Sequence, residues 1–108
     1  AGQYWLLVRP EYRPTVYIQY AEGDPTALRT ALSRDYNVPA AQRLDIARGL
    51  HEVRYCRKAD QAVATQVASV LSTLTRRTLP AVPIAGGGAC ERVSRPGVVE
   101  AWIGDPTP

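Results

Sequence analysis

Apolar and polar positions alternate in three places along the chain and recur at helical spacing in two. In Thr15–Tyr20 (TVYIQY), Val16, Ile18 and Tyr20 oppose Tyr17 and Gln19, and the β-branched and aromatic content predicts a strand with one buried face. His51–Cys56 repeats the pattern, with Val53 and Tyr55 on one side and Glu52, Arg54 and Cys56 on the other. After the Pro96-Gly97 turn, Val99, Ala101 and Ile103 alternate with Val98, Glu100 and Trp102. The helical spacing appears first at Leu28, Ala31 and Leu32, behind Gly23-Asp24-Pro25, where Asp24 is a good N-cap and Pro25 suits the first helical position. This helix should stop near Tyr36-Asn37, because Pro39 disfavours helical geometry at Val38. The second stripe, Val63, Val67, Val70, Leu71 and Leu74 padded by Ala64 and Ala68, predicts a helix over Asp60–Thr75. Asp60 is available as its N-terminal cap, and Arg76-Arg77 stand at its negative C-terminal end.

Between these elements the pattern is less decisive. Residues 38–46 read as helix or strand; Val38, Ala40, Leu44 and Ile46 share strand parity, and a start at Pro39 favours a sheet edge. Leu79–Ile84 (LPAVPI) is extended, with two prolines that also confine it to an edge. Ala85–Ala89 (AGGGA) is a glycine-rich loop with no phosphate-binding G-x-x-x-x-G-K pattern around it. The element order β-α-β then β-α-(β)-β predicts an α+β fold, a two-layer split β-α-β sandwich of ferredoxin-like or SPOR-like type. Two helices would lie on one face of a four- to five-stranded sheet, with 15–20 and 51–56 central. Residues 1–14 form an entry segment with a possible short strand at Tyr4–Val8, residues 15–104 the single domain, and residues 105–108 a tail.

Composition narrows the functional classes. A chain of 108 residues has room for one domain, and 45% hydrophobic with 21% charged residues is ordinary for a globular fold. The chain opens Ala1-Gly2 without an initiator Met, as a processed chain or an excised fragment does. The longest apolar run, Trp5–Val8, is far short of the ~20 residues of a membrane helix. One His and two Cys cannot supply the usual four ligands of a structural zinc site, so no metal or cofactor is expected. A serine triad would have to use His51, yet no G-x-S-x-G turn is present. Cys56 follows His51 by five residues, which on a strand means opposite faces and about 16 Å. The expectation is a protein that is not an enzyme.

If the helices cover the face of Val16, Ile18, Val53, Tyr55, Val99 and Ile103, the other face displays Tyr17, Gln19, Arg54, Glu100 and Trp102, beside Glu52. These five are the candidate ligand-binding residues, a platform for stacking on sugar rings or bases. The alternative is that the Tyr4–Val8 cluster covers this face and Trp102 packs beneath it. Cys56 and Cys90, 34 positions apart, either form a disulfide, as paired cysteines do in exported proteins, or remain a buried and an exposed thiol in a reducing compartment. The formal charge is +3, with basic residues such as Arg57, Lys58, Arg76, Arg77, Arg92 and Arg95 near element ends. That excess is modest and no RNP-type aromatic motif is present, so nucleic acid is a minor candidate.

The succession VYIQY, the D-x-x-x-L-x-x-A-L helix (Asp24, Leu28, Ala31-Leu32), EVRYC, ADQAVATQVASVL and PGVVEAWIG resembles the small C-terminal domain associated with LytR-type cell-envelope proteins. It is more distantly similar to SPOR-like peptidoglycan-binding modules. The likeness covers roughly residues 15–104 and is densest from Val53 to Val67; Ala21-Glu22-Gly23-Asp24 stands where the LytR-associated domain has an asparagine-glycine-threonine turn. The resemblance implies a non-catalytic module on the periplasmic or extracellular side of a bacterial envelope, and no glycan-binding residue is carried over from it. The expected partner is a cell-wall glycan or an envelope protein, met through the open sheet face or an edge strand. The alternatives are a protein–protein oligomerisation domain of a larger exported protein, or a single-stranded nucleic-acid module. The oligomeric state is not legible.

Overall fold

The computed structural model describes residues 13–84, 90 and 95–108. The expected entry strand at Tyr4–Val8 and the AGGGA loop lie outside them. Five strands and two helices follow in the order β1 (Thr15–Tyr20), α1 (Thr26–Leu32), β2 (Gln42–Arg43), β3 (His51–Tyr55), α2 (Gln61–Thr75), β4 (Ala81–Pro83) and β5 (Val98–Ile103). Short 3₁₀ turns at Asp45–Ala47 and Lys58–Asp60 precede β3 and α2. The strands form one mixed sheet in the order β2-β1-β5-β3-β4, with both helices packed on it as a two-layer α+β sandwich.

Each helix joins two adjacent parallel strands, α1 between β1 and β2 and α2 between β3 and β4, so neither β-α-β unit is split by an intervening strand as the expected ferredoxin-like or SPOR-like arrangement requires. The space between these two β-α-β units is filled by β5, which runs parallel to β1 and antiparallel to β3. The alternation read from the sequence fixes the layers. Val16, Ile18, Val53, Tyr55, Val99, Ala101 and Ile103 turn into the core with Leu28 and Leu32 of α1 and Ala64, Val67, Ala68 and Leu71 of α2. Val63 and Leu74 pack partly against this core, whereas Val70 of the expected stripe stays at the rim, 37% exposed.

Asp24 caps α1 as its position predicts: its Oδ1 accepts from the Thr26 N–H at 2.9 Å and from the Thr26 hydroxyl at 2.7 Å. These two bonds hold the Asp24 carboxyl below its usual pKa. Asp60 does not cap α2 in the same way. Its buried carboxylate instead accepts from the Gly97 N–H at 3.0 Å, fixing the turn that launches β5.

The strand expected over 38–46 is much shorter. Only Gln42 and Arg43 pair with β1, and the chain then tightens into a 3₁₀ turn that throws Ile46 outward, 73% exposed, so the parity counted through Ile46 does not hold. Both edges expose little pairing backbone. Residues β2 and β4 offer number two and three, and because the Ile84 N–H donates to Tyr55 O, the outward positions of β4 are Ala81 and Pro83, the latter without an N–H.

Beyond β5, Gly104 sits between the end of β1 and the 47–50 turn: its N–H donates to Leu50 O, its carbonyl accepts from the Ala21 and Glu22 N–H groups, and a side chain there would strike Gly49 N at 2.8 Å. Gly23, at φ +82°, faces the Asp105 carboxylate so closely that a Cβ would collide with it. Residues 105–107 thus close over the β1–α1 turn, with Asp24 N–H donating to the Thr107 hydroxyl and Pro106 fully buried.

Cys56, just past β3, and Cys90 form a disulfide with their Cα atoms 5.7 Å apart. The bridge closes a ring that contains α2 and β4, and a loop of this length constrains the unfolded chain by about 3–4 kcal/mol. Replacing both cysteines by serine should lower Tm by roughly 15 °C for a domain of this size. Calorimetry with far-UV circular dichroism checks this, and an unchanged Tm would show that the bridge carries no stability.

His51 opens β3, and burial first and the Arg77 charge second push its pKa down, a backbone interaction with Arg77 offsetting part of this. The folded chain therefore favours neutral His51, while the unfolded chain takes up a proton near pH 6.5. The stability this contributes is full above about pH 6.5 and is lost as pH falls toward the folded value. Urea midpoints should decline from pH 7.5 to 5, and His51→Gln should flatten that decline.

Candidate functional site

The strand register gathers the sequence-predicted residues on the face away from the helices. One row across the sheet reads Tyr17, Glu100, Arg54; the next reads Gln19, Trp102, Glu52. All five candidates are therefore neighbours, and Glu52, the residue two before Arg54 on the same face, joins them. Their exposure differs from an open platform. Trp102 is only 8% exposed, packed with Ala21 and Ala47 and against Leu44 and Leu50, and Gln19 is buried beside it with its Oε1 unpartnered. The segment 44–50 thus covers Trp102, and the Tyr4–Val8 cluster, the other cover that the sequence offers for this face, lies outside the described residues.

The polar groups of this face are held in fixed places. Arg54 Nε donates to Glu52 Oε2 at 2.7 Å, and the Arg54 guanidinium lies over the Trp102 ring, 4.6 Å from its centre. The pair is shielded, with side-chain exposures of 29% and 24%, so it is less screened than the open pairs Arg43–Asp45 and Arg48–Glu22. Trp102 Nε1–H donates to Glu100 Oε1 at 3.2 Å. One face of the indole is occupied by a cation and its edge by a carboxylate, so Trp102 acts here as the support on which Arg54 and Glu100 are mounted.

What remains accessible is a cleft of about 280 Å³ beside Trp102, lined by Tyr17, Arg54, Cys56, Ile84, Cys90, Arg95, Val98 and Glu100. Its base is the Tyr17–Glu100–Arg54 row, and the disulfide forms part of its wall. Tyr17, Arg54 and Glu100 were legible from alternation; Ile84, Arg95 and Val98 were not, since their part in the cleft depends on the disulfide and on β5 entering the sheet centre. Among the described residues, no group of three or more His, Cys, Asp or Glu is placed to hold a metal ion, and no helix is long and apolar enough to cross a membrane.

In comparisons with protein-family models, with curated proteins and with solved structures, nothing matches this chain.

If Trp102 is a buried support, Trp102→Ala should destabilise the domain by about 3 kcal/mol or more, the cost of emptying a packed aromatic site. Urea denaturation measures this. A loss below about 1 kcal/mol would mean that the ring is dispensable to packing.

Proposed function

We propose that this chain is a non-catalytic binding module of the bacterial cell envelope that recognises a peptidoglycan-like glycan through the Tyr17–Arg54–Glu100 cleft. The observation that carries this reading is the cleft itself. An aromatic ring, two aliphatic side chains, guanidinium groups and a carboxylate converge on one small concavity, the mixture that a ring with an apolar face and a polar rim requires. The Cys56–Cys90 bridge supports an oxidising compartment, such as the periplasm or the cell exterior. The resemblance of VYIQY, EVRYC, ADQAVATQVASVL and PGVVEAWIG to the LytR-associated domain points to the cell envelope. The face rather than the edges is the favoured surface, because β2 and β4 are too short to template a partner strand.

Co-sedimentation with purified cell-wall sacculi tests the reading. The full chain should pellet with sacculi, and Tyr17→Ala or Arg54→Ala should weaken this at least about tenfold, the worth of one aromatic or charged contact. Gln66→Ala on the exposed side of α2 should leave it unchanged. Absence of pelleting by the parent chain would overturn the glycan reading.

A further inference from the structure

Arg54 and Glu100 stand directly opposite each other on the antiparallel β3–β5 pair. At such positions side chains start only about 5 Å apart, and opposite charges ordinarily pair. Here they do not: among the described residues no ion pair joins them. Each is drawn along its own strand instead, Arg54 to Glu52 and Glu100 to the Trp102 indole. Those bonds use Nε of the guanidinium and Oε1 of the carboxylate. The terminal nitrogens of Arg54 and Oε2 of Glu100 are left as a donor set and an acceptor that both line the cleft, on side chains already held by their own strands.

A single hydroxyl meets such a pair with one proton. A trans amide meets it more fully, because its C=O and N–H point in opposite directions, one toward a donor and the other toward an acceptor. Both bonds would be charge-assisted, about twice as strong as neutral ones. The rest of the cleft limits what carries the amide. Ile84, Val98 and the disulfide offer an apolar surface that suits a methyl group, and Tyr17 offers the side of a ring for the C–H face of a sugar. A volume of about 280 Å³ is at the lower end of small-molecule sites, enough for one ring with its substituent and too little for a length of extended peptide.

We propose that the cleft is a subsite for one N-acetylated amino-sugar residue, whose acetamido carbonyl accepts from Arg54 and whose amide N–H donates to Glu100. This rests on the glycan-binding reading and names the group that is recognised. Removing the acetyl group leaves an ammonium that can still donate to Glu100 but has no acceptor for Arg54 and brings a cation against its guanidinium.

The test is calorimetric titration of the full chain with the β-1,4-linked tetramer of N-acetylglucosamine and with the same tetramer after de-N-acetylation. The acetylated tetramer should bind at least about tenfold more tightly, as expected for loss of one charge-assisted bond. Arg54→Ala should lose that preference. Glu100→Gln, which keeps an oxygen for the indole N–H but removes the charged acceptor, should reduce it. Since the two sugars are compared on the unaltered protein, the result does not depend on either variant folding. Equal binding of both tetramers, or binding of sacculi with neither tetramer bound, overturns the acetamido subsite and leaves the module reading standing. Failure to bind either tetramer or sacculi overturns both.

Discussion

The structure depends on the register of β5 between β1 and β3. Without it the chain is two separate β-α-β units, each a two-stranded sheet with one helix, and neither has enough apolar surface to close a core. Once β5 is seated, the rows Val16–Val99–Tyr55 and Ile18–Ala101–Val53 face the helices, and Tyr17–Glu100–Arg54 and Gln19–Trp102–Glu52 face away. Because side chains alternate with a period of two, a slip of one residue would place Glu100 and Trp102 in the core and Val99 and Ala101 outside. The core and the cleft are therefore specified by one choice, and the burial of Val99, Ala101 and Ile103 enforces it.

The same arrangement explains why the polar face is orderly. Arg54 carries a long side chain that costs entropy to immobilise, up to about 2 kcal/mol. Glu52 beside it on the strand and the Trp102 ring beneath it meet that cost within the folded chain, and Trp102 is itself held by the 44–50 segment. A ligand that met Arg54 and Glu100 would find groups already set, which favours affinity through preorganisation rather than contact area.

Much of the fold was legible because its signals are local. The α2 stripe and the alternation of β1, β3 and β5 gave the layers and the membership of each face, and the two cysteines pointed to their pairing. Residues 38–46 were misread where parity was continued through Ile46, since a 3₁₀ turn changes the period and nothing local marks it. Trp102 was placed on the correct face, but its burial depends on Leu44, Ala47 and Leu50 folding over that end of the sheet, a tertiary event that strand periodicity does not encode. Asp60 shows the same limit: its position suggested a helix cap, and its partner is Gly97, 37 residues away.

The central position of β5 also bears on how the chain reaches this state. β5 pairs with β1 across some eighty residues of sequence, as Thr15 with Val98 and Ile18 with Ala101, and with β3 across about half that distance. Contacts this distant must be closed against loop entropy before they return any stability, which slows folding. During synthesis the strand that joins the halves emerges after both helices have been made, so the sheet cannot close before β5 is available. Until β5 is in place the two β-α-β units lack the strand that joins them, and the face that carries Arg54 has no partner row opposite it.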